Sequence, residues 1–236
     1  MMSDVSQETN ARQAILSSIR RHLAASAPFD EQTPLLPQSE AETLAVSSTS
    51  SDQSALIERF QRELEAVAGH CVVVRNDREA AETIRRIIDE TKARTIALSD
   101  SPRVQQITSG LETSGQFLRG ADRSALFDCD MGITGVQWAI AETGTLVLES
   151  ERERHRLASL VPPVHVAILE ANRIRQSMAE VLQGINEQTA EGLSRTVTFI
   201  TGPSRTSDIE LTLAIGVHGP GQLHVIVIDD VQQTVE

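Results

Sequence analysis

The alternation of short apolar runs with amphipathic segments constrains this chain more than any other feature. Leu56, Phe60, Leu64 and Val67 recur at helical spacing and stop at Gly69, and the apolar run Cys71–Val74 follows at strand length. Ala80, Ile84, Ile87 and Ile88 mark the next helix, Thr95–Leu98 the next strand, and Ser101-Pro102 a helix start with proline in its first turn. Val164–Leu169 is a strand behind Pro162-Pro163. Ile174, Met178, Val181, Leu182 and Ile185 place a helix, and Val197–Ile200 is a further strand. Strands that are apolar throughout need cover on both faces. The pattern therefore predicts an α/β fold with a mainly parallel central sheet and flanking helices.

The remaining segments are assigned more coarsely. Leu126-Phe127 reads as part of a short strand, Gly132–Gly135 as a turn, Trp138 and Ile140 as an irregular segment, and Thr145–Leu148 as a strand. Ile209, Leu211, Leu213, Ile215 and Val217 alternate with period two. Gly219-Pro220-Gly221 then turns the chain into the apolar strand His224–Ile228, which predicts a C-terminal β-hairpin closing the sheet. At the other end, Ala11–Leu23 has a helical pattern. Ala24–Ser54 has no Lys or Arg, holds three of the eight prolines and ends in a Ser/Thr-rich run, the composition of a mobile linker. The expected organisation is an N-terminal helix and linker over 1–54 and an α/β domain over 55–236.

Chemistry concentrates in Thr201–Gly221, which holds four of the 13 glycines, two prolines, Arg205 and His218. Gly202-Pro203 ends the preceding strand, and Ser207 with Glu210 has capping-box spacing. A polar turn with free N–H groups after a strand is a common anion site, and Arg205 adds a planar charged fork. Ligands of α/β sheets sit outside the carboxyl ends of the strands. Ser204, Arg205, Thr206 and Asp208 are thus candidate anion-binding residues at such an end, with Asp208 orienting a neighbour or capping the turn. His218, at the expected hairpin tip beside glycines, is a candidate for handling a proton of a small 2-hydroxy or 2-oxo acid. The competing reading is an ordinary turn whose hydroxyls satisfy their own backbone.

These residues carry a resemblance. Ala141–Thr145 (AETGT), GPSRTSDIE from Gly202 and GVHGP from Gly216 are similar to the lactate-utilisation protein C family, also called the LUD domain, over roughly Leu56 to Asp229. The resemblance implies a fold like that of the ribose-5-phosphate isomerase and CoA-transferase superfamily. It also implies a part in oxidising L-lactate to pyruvate beside two partner proteins that carry iron–sulfur clusters. Some CoA transferases use a glutamate in a Glu-x-Gly setting as a nucleophile, which makes Glu142 a candidate catalytic residue. Capping of the neighbouring turn is the other reading of Glu142. His165 lies inside an apolar strand, where a histidine is more often a satisfied core residue than a catalyst. Arg152, Arg154 and Arg156 are equivalent as residues that face a cleft.

Composition narrows the functions. A net charge of −12, from 21 basic and 33 acidic residues, argues against nucleic acid and against an anionic membrane surface. No apolar run is long enough for a transmembrane helix, and the polar N-terminus lacks a signal peptide's apolar core, so a cytoplasmic protein is the simple reading. The two cysteines, Cys71 and Cys129, cannot supply the ligands of an ordinary iron–sulfur cluster, and Asp128 and Asp130 discourage a Cys129 thiolate. No dinucleotide fingerprint, phosphate loop or zinc spacing is present. A lactate-oxidising role would therefore make this chain a non-redox, carboxylate-binding subunit with no cofactor of its own. The alternatives are a stand-alone isomerase or transferase acting on a sugar phosphate, a folate-like acid or an acyl-CoA, and a structural adaptor without a ligand. Homo-oligomerisation is left open.

Overall fold

A computed structural model describes residues 13, 15–21, 50–150, 156–187, 194–207, 213–216 and 218–230. The chain divides into two units, Met1–Ser47 and Ser48–Glu236. In the first, residues 15–21 are helical (α1), and Ile15, Leu16 and Ile19 are exposed. The expected linker lies outside the described residues as far as Thr49. From Ser50 it is helix instead, because α2 runs Ser50–Ala66 and starts before the apolar spacing that announces it.

The second unit is built on six parallel strands: β1 (His70–Val74), β2 (Thr95–Leu98), β3 (Gln116–Arg119), β4 (Met131–Gly135), β7 (Val164–Glu170) and β12 (Gln222–Ile228). Their order is β1-β12-β7-β4-β2-β3. A second sheet has the order β8-β5-β6-β9, from Ile174–Arg175, Trp138–Ile140, Thr145–Glu149 and Val197–Ile200. This is the predicted class, an α/β domain with a parallel central sheet, flanking helices and a smaller additional sheet.

Side-chain alternation assigns the two faces. Val164, Val166 and Ile168 of β7 and Ile226 and Ile228 of β12 pack under α3 (Asp77–Thr91) and α4 (Pro102–Thr108) through Ile84, Ile88, Val104 and Ile107. Ala167, Leu169, Leu223, Val225 and Val227 face α2 and the second sheet, meeting Phe60, Leu64, Leu146 and Leu148. Fully burying a side chain such as Phe60 or Leu64 contributes about 1.5–3 kcal/mol, so α2 is held by packing more than by propensity. α3 is fixed locally as well: the Asn76 side chain accepts the Glu79 N–H at 3.0 Å, and Asp77 and Glu79 lie in its positive first turn.

Five local expectations are corrected. Gly132–Gly135 is not a turn but most of β4, buried in the middle of the sheet. Its glycine is explained by packing: a Cβ on Gly132 would stand 1.8 Å from the Ala158 carbonyl oxygen. Leu126-Phe127 lies in a 3-10 turn, Ala125–Asp128, and not in a strand. Trp138–Ile140 is regular, forming β5 antiparallel to β6. The C-terminal hairpin joins β10 (Arg205–Ser207) to β11 (Leu213–Ile215), while His224–Ile228 leaves it to pair in parallel between β1 and β7. Period-two alternation announces a strand but not its partner. Ser207 starts no helix; it is in β10, and Glu210 lies outside the described residues.

Candidate functional site

The Thr201–Gly221 motif sits at the end of the central sheet opposite to the one expected. β9 belongs to the second sheet, antiparallel to β6, so its carboxyl end emerges beside the amino ends of β7 and β12. Ser204 N–H donates to Pro220 C=O at 2.8 Å, Gly216 N–H to Ser204 C=O at 2.9 Å, and Gly221 N–H to Pro163 C=O at 2.9 Å. These bonds fold the motif over a cleft of about 210 Å³, lined by residues that include Ser159, His165, Thr201, Ser204, His218 and Gly219.

Among the predicted residues, Ser204 and His218 are thus brought together. Arg205 is not in the cleft wall: it is exposed, and its Nη2 donates to Val67 C=O at 2.7 Å, just beyond α2. Thr206 is in β10, paired with Ala214; Asp208 lies outside the described residues. Glu142 is exposed, outside the cleft lining, and its Oε1 accepts the Met178 N–H at 3.1 Å. Met178 is the first residue of α5 (Met178–Asn186), so Glu142 accepts from the start of that helix and not from its neighbouring turn. Arg152 and Arg154 lie outside the described residues.

The two sequence motifs meet. The hydroxyls of Thr143, Thr145 and Thr201 form a chain with spacings of 2.7 and 2.8 Å. Both motifs also press on the end of α2. A Cβ on Gly144 (φ +63°) would stand 2.3 Å from the Leu64 nitrogen, and one on Gly202 (φ +87°) 2.8 Å from the Val67 carbonyl oxygen. With Arg205 on the same carbonyl, much of what makes these motifs distinctive is the docking of α2.

His165 closes the cleft floor. It is 0% exposed, its Nε2 is 2.9 Å from the Thr134 hydroxyl, and its Nδ1 has no partner among the described residues. Burial, with a smaller contribution from the charge of His224, pushes its pKa down to about 3. His224, stacked on His70 with ring centroids 4.8 Å apart, is lowered to about 4 by burial and then by His70. Above the ordinary value of 6.5 both states of the chain hold His165 neutral, so it contributes no pH dependence there. Below 6.5 the unfolded chain takes up the proton first, and stability falls until about pH 3. The unfolding free energy from urea titrations should therefore decline from pH 6.5 to 4.5, by up to ~1.4 kcal/mol per pH unit for His165. A decline just as steep in His165→Asn would show that His165 is not its source.

A second cleft, of about 500 Å³, opens at the carboxyl ends of β2, β4 and β7. It is lined by residues that include Ser101, Arg103, Gly135, Trp138, Glu149 and Arg173. The sequence reading missed it because Gly132–Gly135 passed for a turn, and because Arg103 carries no motif beyond the Ser-Pro helix start. Glu149, 1% exposed, accepts Trp138 Nε1–H at 2.9 Å and the Ser194 hydroxyl at 3.3 Å. No described helix is long and apolar enough to cross a membrane.

A parallel α/β sheet backed by a small second sheet, with the AETGT and GPSR turns docked together on one helix, defines the class. Residues 57–228 match the LUD domain family, and the chain belongs to it. Lactate utilization protein C of Halalkalibacterium halodurans is 33% identical over 162 residues, 63% of this chain and 69% of that protein. The protein of the same name from Oceanobacillus iheyensis is 27% identical over 187 residues, 70% of this chain and 79% of its own. A crystal structure of a DUF162 family protein from Deinococcus radiodurans shares the fold, with a TM-score of 0.57 at 23% identity, covering 75% of this chain and 98% of that one.

Proposed function

We propose that the chain is a non-redox subunit of a system that oxidises L-lactate to pyruvate, working beside iron–sulfur partner proteins and holding a small carboxylate between Ser204 and His218. The observation that carries this reading is the cleft that gathers these two residues over His165 in a member of a family whose relatives are named for lactate utilization. A hydroxyl, an imidazole and a glycine-rich turn supply donors for a carboxylate, and a volume of about 210 Å³ suits a ligand of few atoms.

The electrons of lactate oxidation need a redox centre. Cys71 lies on edge strand β1 and Cys129 ahead of β4, with β12 and β7 between those strands. Burial, helped by Glu65, pushes the Cys71 thiol up to about 12; burial, then Asp130 and Asp128, raises Cys129. Two thiols separated in this way cannot supply the ligand set of an ordinary cluster. Clusters are therefore assigned to the partners.

Calorimetric titration of the full chain with L-lactate, pyruvate and phosphate tests the proposal. Wild type should bind one of the two organic acids, His218→Ala should weaken it about tenfold, the worth of one hydrogen bond, and Arg205→Ala should lower the thermal midpoint but not the affinity. Freshly purified protein should be colourless. Absence of binding to either acid favours the adaptor reading; turnover by the isolated chain, or stoichiometric iron and sulfide in it, rules out a non-redox subunit.

A further inference from the structure

We infer that the chain carries a second ligand site, independent of the first, in which Arg103 and Arg173 hold an organic anion larger than lactate at the carboxyl ends of the central strands. Topology sets the place. β2 leads into α4 on one face of the sheet, whereas neighbouring β4 leads into β5 on the other face. Where adjacent strands send their connections to opposite faces a crevice opens, and α/β proteins bind their ligands there. The 500 Å³ cleft lies at that point, between Ser101–Arg103 after β2 and Gly135–Trp138 after β4. Its volume is in the range of metabolite sites, well above what a three-carbon acid fills.

The walls give the ligand's chemistry. Arg103 comes from α4 and Arg173 from the 3-10 turn Ala171–Arg173 after β7, so they flank the end of β4, which lies between those strands and terminates in a glycine without side-chain bulk. Arg103 is held from behind. Its Nη2 is 2.8 Å from Asp77 Oδ1, an ion pair outside hydrogen-bond geometry, and donates to Asp230 Oδ2 at 3.0 Å. Its buried Nε has no partner among the described residues. Arg173 is 44% exposed, stands 5.9 Å from the Trp138 ring centre and has a 3.6 Å contact with Glu170. Buried Glu149, also in the lining, accepts hydrogen bonds from Trp138 and Ser194. One fixed and one adjustable guanidinium, on a chain of net charge −12, form a local site for an oxyanion.

Inorganic pyrophosphate and citrate are the probes, titrated calorimetrically into the full chain; they separate phosphate from carboxylate chemistry. At least one should bind. Arg173→Gln, which disturbs no buried group, should weaken that binding about tenfold or more, as should Arg103→Lys, which keeps the charge and loses the fork. Saturating L-lactate should leave the affinity unchanged. The inference is overturned if neither probe binds, if Arg173→Gln binds as wild type does, or if L-lactate competes. The first two of these outcomes do not depend on whether lactate itself binds at the first cleft.

Discussion

Gly132→Ala is expected to destabilise the domain by about 3–5 kcal/mol, the upper range for a single overpacking change. The added Cβ would stand 1.8 Å from the Ala158 carbonyl oxygen and 2.7 Å from its carbon. Neither side has room to yield. β4 is hydrogen-bonded between β2 and β7, and Ala158 is 0% exposed within the 3-10 turn Arg156–Ser159. The turn must lift off the strand, exposing Ala158 and Leu126 and displacing Ser159 from the first cleft. Chemical denaturation reads the loss directly. A change below about 1 kcal/mol would mean that the turn repacks freely and that Gly132 is not required for its approach.

Gly144→Ala should cost about 3–4 kcal/mol, from two sources that can be separated. The residue has φ +63°, and its Cβ would fall 2.3 Å from the Leu64 nitrogen and 2.6 Å from the Leu64 Cα. A helix backbone cannot rotate away as a side chain can. α2 would therefore retreat, and Phe60 and Leu64, both 0% exposed, would lose contact with the second sheet. Gly120 is the internal control: its φ is +62°, but a Cβ there meets nothing within 4 Å. Gly120→Ala should thus show only the backbone penalty of about 1–2 kcal/mol. If the two variants lose equal stability, contact with α2 contributes nothing and the AETGT glycine is merely a turn residue.

The sequence determined the class of this fold and most of its long elements. Apolar spacing at Ala80, Ile84, Ile87 and Ile88, and the largely apolar runs around Thr95–Leu98 and Val164–Leu169, the latter interrupted only by His165, are local signals, because burial on two faces selects apolar residues at nearly every position. The motif residues at Ala141–Thr145 and Gly202–Glu210 were equally legible and mark the family that residues 57–228 match. Tertiary structure decided everything that depends on which segment lies beside which. Gly132–Gly135 has the composition of a turn, and only the Ala158 carbonyl pressing on it makes glycine the strand residue there. His224–Ile228 would pair equally well in a hairpin; its place between β1 and β7 is fixed by two neighbours 154 and 58 positions away, as the His70↔His224 and Val166↔His224 registers show. Arg205 reads as an anion ligand in sequence, yet its fork closes on Val67 C=O, because the end of α2 happens to stand there. The end of the sheet at which the motif lies was likewise unreadable: strand direction is relative, and β9 takes its direction from β6 and not from the central sheet.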